Sequence, residues 1–251
     1  ILEISSLSIN HPFKTQSNPI VLSSSEILIL GACTRPCVAM AAAAGYQVTA
    51  IDLFNDADTQ AASNASIKAD QYPEDLFGHA ESSKANYWLY TGCLENYPEQ
   101  IAQLANKKTL LGNNQNVIRK CRSPEFISEL AIDAEWHYPD AAIADASRTN
   151  NEFQSWISKP RLSAAGQSVQ VWHSIPPATS ERIAQLYIPG PTFGAACISN
   201  GSETQVLGIT RHLRMTRRLG VTRFQYCGSV GPLPLSDTLN AAITTMASEI
   251  A

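Results

Sequence analysis

"EILILGACTRPCVAMAAAAGYQVTAIDLFNDADT", residues 26–59, decides the fold. A short apolar strand, Ile27 to Gly31, enters a turn. An alanine-rich helix then runs to Gly45, and a second apolar strand, Val48 to Leu53, ends among acids. Two buried strands joined through a helix make a β-α-β unit, and such a crossover requires a parallel sheet. The alanines let the helix lie close to the sheet, and Gly45 supplies its left-handed stop. Downstream, "YWLYTGCLEN" (87–96) and "TLLGNN" (109–114) read as further buried strands, with "YPEQIAQLANK" (97–107) an amphipathic helix between them. Residues 22–116 are therefore expected to form one open α/β unit.

After this unit the pattern changes. Residues 117–150 read as helix and loop, and from 154 onward short alternating runs are separated by glycine, proline and serine. "SWISKP" (155–160), "SVQVWH" (168–173), "IAQLYIPG" (183–190), "TFGAACISNG" (192–201) and "TQVLGITRHLR" (204–214) predict antiparallel strands in a second unit, 117–251.

With 251 residues, 44% of them hydrophobic, the chain can bury a large core, and disorder is a poor reading. A net charge of −4 argues against a duplex-binding surface, so no nucleic acid is expected as a partner. No apolar run of about 18 residues exists, so no membrane is expected either. Six cysteines without a CxxC pair read as scattered thiols in a reducing, cytoplasmic protein. The turn "GACTRPC" (31–37) lacks the second and third glycines of a dinucleotide fingerprint. Asp52 would nevertheless suit a ribose hydroxyl, which leaves a Rossmann-type oxidoreductase, with its cofactor at Gly31, as one alternative. The chain begins at Ile1 without methionine and finishes inside a helical pattern without a stop, so a downstream segment is expected to be missing.

"WISKPRLSAAGQSVQVW" (156–172) offers the sharpest candidate chemistry. Lys159 closes a strand and is followed by proline, so its ammonium is carried on a rigid element. Ser163, Ala164, Ala165, Gly166, Gln167 and Ser168 then present accessible backbone N–H groups. Such a stretch is either a hairpin with a solvated lysine or a lid that covers polyphosphate oxygens. "QLYIPGPTF" (185–193) follows at a distance that lets the lysine hairpin fold back beside it.

In this order the blocks resemble an ATP-grasp enzyme, most similar to the predicted ATP-dependent carboligase branch, in which "LLGNN" (110–114) and "GSVGPLPL" (228–235) have counterparts. The resemblance implies an open parallel-sheet pre-ATP-grasp domain over 22–116, then an α+β ATP-grasp domain over 117–251 that is incomplete at its C-terminus. It implies that Lys159 contacts ATP phosphates beneath a mobile loop containing Ser163, Ala164, Gly166 and Ser168. Gln185 and Leu186 would offer backbone groups to the adenine amino edge, and Ile188 its N–H to a ring nitrogen. Thr192 stands where many members place a ribose-binding glutamate. A first phosphate-contacting cation falls to Lys120 or Arg122, with Lys120 preferred.

The basic run "TRHLRMTRRLGVTR" (210–223) reads as a solvated face, or, through the resemblance, as placing Arg211 where an acyl phosphate develops negative charge. His212 reads as a packed or surface histidine. Beyond the hinge the acids are Glu203, Asp237 and Glu249, too far apart for a hard cation, so no metal ligand is assigned and those for Mg2+ are expected past Ala251. The reaction implied is ATP-dependent ligation of a small-molecule carboxylate to an amine through an acyl phosphate, with this length of chain inactive alone. A non-catalytic nucleotide-binding protein of the same fold is the alternative.

Overall fold

β1 (Glu26–Leu30), α1 (Arg35–Ala43) and β2 (Gln47–Asp52) form the β-α-β unit that the sequence predicts. A computed structural model describes residues 26–133, 136–139, 141–142, 155–177, 179–213 and 220–251. The first residues of the expected α/β unit, 22–25, and residues 214–219 of the basic run lie outside the described residues. Pro36 sits in the first turn of α1, where a missing N–H costs nothing, and Gly45 takes φ +87° just beyond its end.

The unit continues through α2 (Ala57–Ala62), β3 (Ala65–Lys68), α3 (Glu74–Ser82), β4 (Tyr87–Tyr90), a 3₁₀ turn (Leu94–Asn96), α4 (Pro98–Ala105) and β5 (Thr109–Leu110). The strands stand in the order β3-β2-β1-β4-β5, and every pairing is parallel. Successive residues of β1 face opposite sides. Leu28 and Leu30 join Ile51, Leu76, Trp88 and Leu104 on one side, while Ile27 and Ile29 join Val38, Val48 and Ala50 on the other. A sheet covered on both faces explains why β1 and β2 read as unbroken apolar runs.

Three details differ from the expectation. β3 is an edge strand with no buried residue, so "ASIK" carries no apolar run and is not visible as a strand in the sequence. "YWLYTGCLEN" does not stay extended: β4 stops at Tyr90, and Cys93, at φ +75°, turns the chain into the 3₁₀ segment. "TLLGNN" pairs only through Thr109 and Leu110, because Asn114 is already a helix cap. Its side-chain oxygen accepts the N–H groups of Asn116 and Val117 and starts α5 (Gln115–Cys121).

α6 (Pro124–Asp133) leads to β6 (Ala141–Ala142), β7 (Trp156–Pro160), β8 (Gln170–Trp172) and β9 (Arg182–Leu186). These strands form an antiparallel sheet in the order β6-β9-β7-β8, so the lysine strand β7 does lie beside β9, with Lys159 opposite Ile183. β10 (Phe193–Ser199), β11 (Thr204–His212) and β12 (Ser229–Val230) form a third, antiparallel sheet against which α7 (Asp237–Ile250) packs. The Ser236 hydroxyl caps α7 by accepting the Leu239 N–H.

Candidate functional site

The "SKPRLSAAGQS" stretch becomes β7 followed by a loop that borders two adjoining cavities. The smaller, about 350 Å³, is lined by Arg122, Tyr138, Lys159, Arg161 and loop residues Ser163 to Gly166. The larger, about 1240 Å³, shares Ala164, Ala165 and Gly166 and extends past Tyr187 to Thr192, Arg211 and the segment Val221–Tyr226.

Lys159 differs from its cationic neighbours. Arg122 donates to Asn96 Oδ1 at 2.5 Å and to the carbonyls of Arg161 and Ser163, and lies 3.5 Å from Glu95. Arg161 is held by both oxygens of Glu125, at 2.8 and 3.4 Å. Lys159 has no counter-ion and no hydrogen-bond partner among the described residues, and burial pushes its pKa below the ordinary lysine value. A largely buried ammonium with nothing opposite it, on the wall of a cavity, suits an anion arriving from outside.

The loop above it is built for close approach. Ala165, Gly166 and Ser168 all take left-handed φ values, +53°, +71° and +58°. Gln167 N–H bonds the Ala164 carbonyl, and the Tyr226 N–H donates to the Ala165 carbonyl at 2.8 Å. A Cβ on Gly166 would stand 1.9 Å from the Phe224 carbonyl oxygen, so the tip is pressed against the opposite segment. At the far end Arg182 donates to the Ser158 hydroxyl, the Ser158 carbonyl and the Ser168 carbonyl, which fixes the loop's return to the sheet.

The expected hinge residues divide. Ile188, 59% exposed, and Thr192 border the large cleft, where the Thr192 carbonyl also accepts the His212 N–H. Gln185 is buried between β6 and β7, with its side chain hydrogen-bonded to the Tyr138 phenol. Leu186 packs near Trp156 and borders neither cavity. Lys120 is exposed, with its ammonium over the Phe126 ring, and it too lines neither; Arg122, the alternative, lines the smaller. Arg211 is exposed on the wall of the large cleft without a partner among the described residues. His212 packs edge-on against Tyr226 on that same wall.

Sequence reasoning missed the aromatic wall. Tyr187 and Phe224 meet edge to face at 6.0 Å, and the Arg223 guanidinium lies over both rings at 5.1 and 5.5 Å while donating to the Tyr187 hydroxyl. The signal was present in "RFQY" (223–226), which closes the basic run with two aromatics at alternate positions.

The Glu125 and Arg161 pair carries a pH dependence. Bonding to Arg161 holds the Glu125 carboxyl down at about 2, so its contribution to stability is complete above the ordinary value near 4.5 and is lost as pH falls toward 2. The two side chains are 28% and 38% exposed, so after solvent screening the pair is worth about 1 kcal/mol. Glu125→Gln should remove that amount at pH 7 and flatten the fall in stability between pH 4.5 and 2, measured by urea unfolding across that range.

A dinucleotide role for Asp52 meets a physical obstacle. The side chain is 1% exposed and already accepts from the Thr34 N–H and hydroxyl and from the N–H groups of Phe54 and Asn55. Its carboxylate ties the turn after β1 to the end of β2. For magnesium the residues do not fit: no three His, Cys, Asp or Glu side chains converge among the described residues.

Comparison with known proteins bears on the fold and the family. No curated protein sequence matches the chain. Among solved structures, an L-amino acid ligase from Bacillus licheniformis superposes with a TM-score of 0.62 at 14% identity, over 90% of this chain and 59% of its own. N5-carboxyaminoimidazole synthetase from Staphylococcus aureus, complexed with ADP, gives 0.63 at 14% identity, over 90% of this chain and 62% of its own. The chain thus spans less than two thirds of the length of either enzyme, and at such identity the likeness is one of fold. The family model described as an ATP-grasp domain matches residues 125–251, half of the sequence and the whole of β7 to α7. On that match the chain belongs to the ATP-grasp family.

Proposed function

We propose that the chain is the nucleotide-binding part of an ATP-dependent ligase that joins a carboxylate to an amine. The observation that carries this reading is Lys159, a largely buried ammonium without a partner among the described residues, facing a cavity beneath a loop of small residues. In it residues 22–116 act as the pre-ATP-grasp domain and 117–251 as the ATP-grasp domain. ATP supplies the phosphoryl group that turns the substrate carboxylate into an acyl phosphate, from which the amine then displaces phosphate.

The roles of the residues follow from their places. Lys159 neutralises phosphate oxygens, and the N–H groups of Ser163, Ala164, Gly166 and Ser168 donate to them. Ile188 and Thr192 meet the base and sugar along the large cleft, whose aromatic side is Tyr187 and Phe224. Arg211, on the same wall, stabilises the charge of the acyl phosphate. This division suits a reaction in which protein groups position and neutralise without forming bonds themselves.

The test is calorimetric titration of the chain with ADP, a non-hydrolysable ATP analogue and NAD+. Both adenine nucleotides should bind and NAD+ should not. Binding of NAD+ alone would move the ligand to the turn after β1 and end this reading.

A further inference from the structure

The two cavities are bordered by five fixed cations, Arg122, Lys159, Arg161, Arg211 and Arg223. Among the described residues, Glu95 is the one carboxylate that borders either of them. It lies in the 3₁₀ turn that follows β4, at the carboxyl end of the parallel sheet, where open α/β sheets receive ligands. Glu95 therefore contributes negative charge from the first unit to a cleft whose other charges come from the second.

Its carboxylate is not locked. Oε1 stands 3.5 Å from Arg122 Nη1, longer than a charge-assisted hydrogen bond, and Oε2 has no partner among the described residues. Arg122 makes its short bonds with Nη2 instead, to Asn96 and the loop carbonyls. The other groups around Glu95 carry no competing charge: burial raises the pKa of the Cys93 thiol and of the Tyr72 and Tyr90 phenols, so all three are neutral near pH 7.

We propose that Glu95 is the ammonium subsite of the cleft: its carboxylate holds the charged form of the amine substrate and takes the proton that must leave the nitrogen before it attacks. An alcohol or thiol of the same shape can donate one hydrogen bond to Glu95 but brings no positive charge to it, so it should bind more weakly. This rests on the ligase reading above and names the residue that receives its amine.

The test uses the whole chain saturated with ADP. Each of the common L-amino acids and a series of straight-chain alkylamines is titrated by calorimetry, together with the corresponding hydroxy acids and alcohols. At least one amine should bind, its hydroxy counterpart should bind at least about tenfold more weakly, and Glu95→Gln should weaken the amine by about 10- to 100-fold while ADP affinity stays within about twofold. Absence of amine binding overturns the proposal, as does equal affinity in Glu95→Gln. A titration with MgCl2 alone, lost in Glu95→Gln while amines are unaffected, would reassign the carboxylate to a metal. If ADP itself does not bind, it is the ligase reading that falls, and the amine series is then run on the unliganded chain.

Discussion

Replacing Lys159 with methionine should weaken ADP binding by about 1.5–3 kcal/mol, or roughly 10- to 150-fold, while the unliganded chain melts no lower than the original. Both halves of this result follow from one fact. The ammonium is largely buried with no counter-ion among the described residues, so the folded chain carries a desolvation cost that an anionic ligand offsets. Methionine keeps the length of the side chain, removes the charge and therefore removes that cost. A residue that merely supported the sheet would behave in the opposite way, lowering stability and leaving affinity intact.

The pH dependence separates the two cases further. A lysine whose pKa is lowered in the folded state binds fewer protons folded than unfolded, so the stability of the original chain should rise with pH in the alkaline range below 10.5. Over that same range its affinity for ADP should fall, because the deprotonated amine no longer attracts phosphate. In Lys159→Met both trends should be absent. Chemical denaturation and calorimetry at matched pH values measure the two, and unchanged ADP affinity in the variant would refute the lid reading.

The second large effect is expected at Gly166. The left-handed φ of +71° is itself a modest obstacle, about 1–2 kcal/mol for an added side chain, and the preceding Ala165 already tolerates +53°. The decisive term is steric. A Cβ there would lie 1.9 Å from the Phe224 carbonyl oxygen and 2.7 Å from its carbon, both backbone atoms that cannot rotate away. Gly166→Ala should therefore unseat the loop from the 222–226 segment and break the bond from Tyr226 to Ala165. The expected readouts are faster tryptic cleavage after Arg161 and at least about tenfold weaker ADP binding, with a small change in melting temperature because the loop adds little core. Cleavage and affinity equal to those of the original chain would show that the docked loop has no part in binding.

The parallel sheet was legible because burial on both faces leaves a direct trace, an apolar run without alternation, in β1 and β2. β3 left no such trace, since an edge strand with exposed side chains obeys no composition rule. At the site, Lys159 and the small-residue loop could be read because proline, glycine and a lysine at a strand end constrain geometry locally. Arg122 and Lys120 could not be told apart, for their difference is one of direction. Two positions along a helix they diverge by about 200° of turn, and only tertiary structure says which one points at the loop. Gln185 failed to reach the cleft for a related reason. β9 is buried at three successive positions, Ile183 to Gln185, and its sequence does not show where the strand leaves the sheet; the first residue free of it is Ile188.

The latch between Tyr226 and Ala165 also bears on timing. On the lid reading, an anion would reach the Lys159 ammonium at a rate set by its encounter frequency multiplied by the fraction of time the latch is undone. The same event controls departure. Strengthening the latch would slow arrival and exit together and lengthen residence time. Loosening it would speed turnover and raise the chance that a reactive phosphate ester escapes to water. Dwell time would thus hang on one backbone hydrogen bond, while affinity would draw on both the ammonium of Lys159 and the seating of the loop.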